Sequence, residues 1–155
     1  MRTLIITNYF PPEIGAASNR IFLMAKNLKF EYNNVEVVCP FPNYPTGEIF
    51  DNYKGFYKRE IIEKIICHRL FIYPDNSRSP IKRLFSMLSF SLSIWILLFK
   101  GIARHYDQII IQNSPLLVSY SSIILFKKIL NKKIILNVSD LWPQSAIDLG
   151  VMRQN

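Results

Sequence analysis

The sequence predicts an α/β domain of the Rossmann-like, doubly wound type, a parallel sheet flanked by helices. Three observations carry this expectation. The runs TLIIT (3–7), VEVV (35–38), QIIIQ (108–112) and KIILNV (133–138) are short, apolar and rich in β-branched residues, with little polar alternation. That is the pattern of strands buried on both faces. Longer helical stretches separate these runs, so strand and helix alternate along the chain. A length of 155 residues with 50% hydrophobic content supports one sizeable core, which makes 1–155 a single domain.

Taken in order, the first strand opens the chain, because Asn8, Pro11 and Pro12 follow Arg2 too closely for the apolar centre of a secretory leader. A helix is expected over 19–28 with Ser18 as its cap. A second runs from Pro80 to about Arg104, capped by Ser79 with Pro80 at the first helical position. A third, from Leu116 to Leu130, repeats this with Ser114 and Pro115. The piece EIIEKIICHRLFIY (60–73) is either a further strand or a hairpin. Cys39 and Cys67 fit neither a disulfide framework nor a paired metal motif, and His68 and His105 stand apart. Buried thiols, ordinary histidines, no metal and a reducing, cytoplasmic compartment are therefore expected.

The formal net charge of +8 is unevenly placed. From Asn76 to Ser139 nine Lys or Arg accompany a single acid, Asp107, whereas the first 75 residues are nearly balanced. Such a half either presents solvated helix faces or meets an anionic partner. No DNA or RNA motif accompanies it, which disfavours nucleic acid. Within it, LFSMLSFSLSIWILLF (84–99) has sixteen residues without a charge, flanked by Lys82, Arg83, Lys100 and Arg104. At 1.5 Å per residue the run reaches roughly 24 Å, short of the ~30 Å hydrocarbon core of a bilayer, and its serines oppose insertion. Burial against the sheet and an interfacial helix held by basic flanks are both favoured over a span.

Ligands of open α/β sheets sit beyond the carboxyl ends of the strands, where helix amino termini favour anions. The informative loops are thus 8–18, 39–47, 113–115 and 139–145. The first lacks GxGxxG, and Gly15 is the only glycine before residue 47, which disfavours a dinucleotide-dependent oxidoreductase. Gly15-Ala16-Ala17-Ser18 either admits a phosphate or sugar close to the backbone, with Arg20 adding charge, or is a tight turn and nothing more. CPFPNYPTG (39–47) reads as a stiff aromatic rim of Phe41 and Tyr44, and Tyr44 either lies against a sugar face or packs on the neighbouring loop. SDLWPQS (139–145) puts Ser139, Asp140 and Trp142 directly after a strand, where Asp140 either caps the next turn or serves a site.

The stretches YFPPEIGAASNRI, PNYPTGEIFDNYKG and NVSDLWPQSAIDLG, in this order over essentially the whole chain, resemble the amino-terminal domain of family 4 glycosyltransferases. The likeness is greatest to bacterial O-antigen, capsule and colanic-acid enzymes, fucosaminyltransferases among them. It implies the amino-terminal half of a GT-B fold, two Rossmann-like domains facing across a cleft, and transfer with retention from a nucleotide sugar, usually without a metal. On this resemblance the Gly15 and Ala16 N–H groups meet the donor diphosphate, with Arg20 near its charge. Asp140 is the catalytic residue and orients an acceptor hydroxyl, while Tyr44, Asn113, Ser114, Ser139 and Trp142 line the acceptor cleft.

The implied partners are a nucleotide sugar, a polyprenyl-diphosphate-linked saccharide and an anionic membrane surface. A donor-binding carboxyl-terminal domain, beyond these 155 residues, completes the expected enzyme, which lies peripherally on the inner face of the cell membrane. No cofactor is expected besides the donor substrate. The chain departs from the family in having Gly15-Ala16 where two glycines are frequent and Ser139-Asp140 where a histidine is frequent. A non-catalytic membrane-docking subunit, or a truncated relic of such an enzyme, is the alternative.

Overall fold

In the computed structural model, which describes residues 1–32, 34–77, 79–113 and 115–138, the strands are β1 (Thr3–Ile6), β2 (Val35–Pro40), β3 (Tyr57–Ile62), β4 (Ile65–Leu70), β5 (Gln108–Gln112) and β6 (Lys133–Asn137). They form one sheet in the order β3-β4-β2-β1-β5-β6. All neighbours are parallel except β3, which pairs antiparallel with β4. The segment left open between strand and hairpin is therefore a hairpin, and the expectation of a wholly parallel sheet is corrected at this edge. Glu63 and Lys64, both at positive φ, make the two-residue turn that forces the reversal.

The chain leaves β1 toward β2 and later returns to its other side at β5, so β1 and β5 flank the point where the winding reverses. Right-handed crossovers in opposite directions put helices on opposite faces. Helix α1 (Ala16–Tyr32) covers one face, where Ile21 and Ala25 join Ile5, Val37, Cys39, Cys67 and Ile110. On the other, α2 (Pro80–Ser93), α3 (Ile96–Phe99) and α4 (Leu116–Ile123) bring Phe90, Ile94, Leu97 and Val118 onto Leu4, Ile6, Val38 and Ile111. Leu4 and Ile6 thus face one layer and Ile5 the other, which is why these strands show no polar alternation. β6 departs from this expectation. Being an edge strand it leaves Ile135 and Leu136 exposed.

The helices differ from the sequence reading at their ends. α1 starts at Ala16, with the Asn19 N–H donating to the Gly15 carbonyl, so Ser18 lies inside the first turn and is not the cap. Ser79 does precede α2, with Pro80 in the first turn, but its side chain makes no capping bond. The expected helix to Arg104 breaks into α2, α3 and a 3₁₀ turn over Ile102–His105, separated by a turn at 94–95 and by Gly101 at φ +71°. Serine hydroxyls contribute to the first break: Ser89 donates to Ser86 O, Ser91 to Met87 O and Ser93 to Ser89 O, bonds that bend helices. After Pro115, α4 continues as a π-helical segment, Ile124–Ile129. Cys39 and Cys67 are buried free thiols, as expected, and burial pushes the Cys39 thiol up to about 12.

His68 does not stand apart. At the amino-terminal end of the sheet its Nε2 lies 2.6 Å from Glu36 Oε2 and its Nδ1 2.9 Å from the Tyr57 hydroxyl, while the Tyr106 hydroxyl donates to Glu36 at 2.7 Å. The network ties β2, β3 and β4 to the entry of β5. The His68 hydrogen bond holds the Glu36 carboxyl below its ordinary value, with Tyr106 and the nearby Arg59 acting the same way. A carboxylate lowered on folding stabilises the fold above its unfolded value and loses that contribution as pH falls through the folded one. Glu36→Gln is therefore expected to flatten the acid limb below about pH 4.5, read as the urea midpoint against pH; an unchanged acid limb would mean that Glu36 is not held in this way.

Candidate functional site

The loops after β1, β2 and β4 meet at the carboxyl edge of the sheet, and two buried ionic side chains hold them together. Glu13, 3% exposed, accepts the Asn43 and Tyr44 N–H groups on Oε1, each at 3.0 Å, and the Phe10 N–H on Oε2 at 3.4 Å. Arg69, at the end of β4 with no exposed surface, donates through Nε to Glu60 at 2.6 Å, through Nη1 to the Pro40 carbonyl at 3.2 Å and through Nη2 to the Pro11 carbonyl. Buried charges persist only where such partners satisfy them. Burial raises the Glu13 carboxyl above its usual value, and its three N–H donors and Arg69 oppose that rise.

Two cavities open on this edge. One, of about 290 Å³, lies at the start of α1 and is lined by Tyr9, Glu13, Tyr44 and the segment 14–18. The first-turn N–H groups of a helix have no partner inside it, which suits an anion, while the Glu13 carboxyl on the same wall opposes one. Ser18 lines the same cavity, 2% exposed, and its hydroxyl has no hydrogen-bond partner among the described residues. The second, of about 270 Å³, is lined by Asn8, Asn43, Asp75, Asn76, Arg83 and Met87, with Tyr9 and Tyr44 shared between both. Among the described residues, Asn8 Oδ1 and Asp75 Oδ2 are buried there without a partner. Two unpaired acceptor oxygens suit a ligand that donates hydroxyl protons. The Tyr9 and Tyr44 rings meet edge to face, centroids 5.9 Å apart and planes at 74°, and form the wall between the cavities.

The β2 and β4 loops are also joined by Asn76, whose side-chain amide donates to the Pro45 carbonyl at 2.6 Å. Gly47 sits beside it at φ +77°, and a Cβ built there would lie 2.5 Å from Asn76 Cβ and 2.7 Å from Asn76 N. Both the backbone angle and the space demand glycine. Gly47→Ala is expected to cost about 1–3 kcal/mol in urea unfolding, and wild-type stability would mean that the two loops part at little cost. Gly15 is different: its φ is not in the left-handed region, and a Cβ would meet only Tyr44 Cε1 at 4.0 Å.

Gly15 and Ala16 thus stand in the first cavity and Tyr44 on the common wall, half exposed and packed on the neighbouring loop. Phe41, expected in the stiff aromatic rim, is instead fully buried beside Tyr53, because β2 runs on to Pro40 and carries it into the core. Arg20 is exposed and lines neither cavity. Asn113 is half-buried, its N–H donating to the Asn137 carbonyl, while Pro115 from the same loop lines the second cavity. Ser114, Ser139, Asp140 and Trp142 lie outside the described residues.

The sequence reading passed over Glu13, Arg69, Asn8, Tyr9 and Asp75. The available signals were an acid directly after Pro11-Pro12 in an otherwise uncharged loop, and an arginine inside the apolar run of β4. Among the described residues no group of three His, Cys, Asp or Glu side chains is placed to hold a metal. No protein-family model matches the chain, and no curated protein is significantly similar to it.

Proposed function

We propose that the chain is the amino-terminal, acceptor-side domain of a retaining glycosyltransferase, moving a sugar from a nucleotide sugar to a lipid-linked saccharide in bacterial surface polysaccharide assembly at the cytoplasmic face of the membrane. One observation carries the reading: an unpartnered, buried Ser18 hydroxyl and the free N–H groups of the α1 amino terminus face one cavity, across a tyrosine wall from a second cavity with unpaired acceptor oxygens. The first suits a diphosphate, the second a polyol. Glycosyl transfer in this fold needs positioning and stabilisation of a departing diphosphate, which such a cradle supplies. The resemblance of the three loop motifs to family 4 glycosyltransferases supports the same reading, and on it Asp140 orients the acceptor hydroxyl while Asn113, Ser114, Ser139 and Trp142 line the cleft.

In the two-domain enzyme this reading requires, Gly15→Val places a branched side chain in the first cavity beside Tyr44 without backbone strain. It is expected to lower kcat/KM about 10²-fold, the scale of losing a diphosphate-stabilising group, and to do so more than Tyr44→Ala. Residues 1–155 alone are expected to transfer no sugar. Normal transfer by Gly15→Val removes the diphosphate from this cavity, and the absence of transfer from every nucleotide sugar tried to polyprenyl-diphosphate saccharides overturns the reading.

A further inference from the structure

We infer that the second cavity selects an acidic sugar, a single ring that carries an anionic group as well as hydroxyls. That this ring belongs to the acceptor rests on the glycosyltransferase reading; its binding rests on the groups that line the cavity.

Two of these groups accept and one donates. Asp75 fixes its carboxylate by accepting the Ser77 N–H on Oδ1 at 3.1 Å, which leaves Oδ2 buried and without a partner among the described residues, as Asn8 Oδ1 is. Arg83 donates through Nε to the Ser77 carbonyl at 3.2 Å, and its two terminal nitrogens have no partner among the described residues. Asp75 and Arg83 thus hold to the same residue and line the same cavity, yet they make no ion pair with each other. Opposite charges kept apart in this way are each left to a ligand group. The carboxylate and the Asn8 carbonyl receive hydroxyl protons, while the guanidinium presents a planar fork that matches a carboxylate or a phosphate. A neutral sugar leaves the guanidinium unmatched, and a simple anion leaves the two acceptors unmatched.

Asp75 repels an anion, so the anionic group belongs at the Arg83 side of the cavity. That side is basic: Lys82 precedes Arg83, and residues 76–106 contain no acid. A volume of about 270 Å³ lies at the small end for ligand pockets and suits one ring better than a chain of them. The Tyr9 and Tyr44 rings supply a flat wall for the C–H face of such a ring, opposite hydroxyls turned to polar groups. The walls are also fixed in advance. Glu13 holds the Asn43 and Tyr44 N–H groups, and the Asn76 amide holds the Pro45 carbonyl, so little affinity is lost to ordering the loops.

The test is a titration of the 155-residue chain followed by amide shifts in NMR, with no nucleotide sugar and no lipid. The probes are the methyl glycosides of glucuronate and galacturonate, the 6-phosphates of glucose and galactose, the neutral methyl glucoside and galactoside, and inorganic phosphate. An acidic sugar of one kind is expected to bind at least about tenfold more tightly than its neutral counterpart and than inorganic phosphate, the scale of a charge-assisted bond. Whether uronates or sugar phosphates win identifies the anionic group. Arg83→Gln should remove that preference and leave the neutral glycosides within about twofold, because its side chain is exposed and the thermal midpoint should hold. Asp75→Asn should weaken acidic and neutral sugars alike. No preference for any acidic sugar, or an equal loss for both kinds in Arg83→Gln, overturns the inference. Inorganic phosphate binding as tightly as the sugars would indicate an adventitious anion only and overturns it too. Such failures leave the transferase reading standing, and absent transfer leaves a measured sugar preference standing, so the two are told apart.

Discussion

Arg69→Ala is expected to destabilise the chain by about 3–5 kcal/mol, the cost of breaking a buried ion pair and leaving its partner unpaired, and at that size a domain of ordinary stability is largely unfolded. The guanidinium touches Glu60, the Pro40 carbonyl and the Pro11 carbonyl, so its loss strips one strand pair and two loops at once. Arg69→Lys should rescue only part, because an ammonium cannot present three donors in a planar fork. Urea unfolding with the Glu60→Gln variant and the double variant completes the cycle. Additive losses would show that Arg69 and Glu60 are not coupled.

Glu13→Ala is expected to follow, at about 2–4 kcal/mol, since it leaves the N–H groups of Asn43, Tyr44 and Phe10 without their acceptor. Glu13→Gln retains one acceptor oxygen and should lose less. The effect reaches beyond stability. Glu13 joins the first-strand loop to the backbone of Tyr44, so Glu13→Ala should speed hydrogen exchange at Asn43 and Tyr44 more than at the β2 amides of Val37 and Val38. Equal acceleration everywhere would mean only global weakening.

Much of the fold was legible because its signal is local. β1, β2 and β5 announce themselves as short runs rich in β-branched residues, and burial on both faces is the physical cause of that pattern. β3 was legible only in part, as one of two alternatives for 60–73: YKREII alternates weakly, and its antiparallel course follows from a two-residue turn at Glu63-Lys64, neither a glycine nor an asparagine. The helix ends were misplaced where serine hydroxyls bond along α2 and where Ser18 faces a cavity, since a serine's sequence position does not tell which oxygen or N–H it meets. In the candidate site, the loops themselves could be named from strand order, and Gly15, Ala16 and Tyr44 came with them. Glu13, Arg69, Asn8 and Asp75 could not, because their roles arise from loops brought together across 30 residues or more of chain.

The Tyr9 and Tyr44 rings, in edge-to-face contact, line both cavities and are the physical link between them. Any solute that binds in one chamber with an affinity dependent on the angle of these rings is linked to a solute in the other. Linkage of this kind is reciprocal: whatever factor the first contributes to the second, the second returns to the first. Two rings 5.9 Å apart would then couple two ligands that need never touch, whichever binds first.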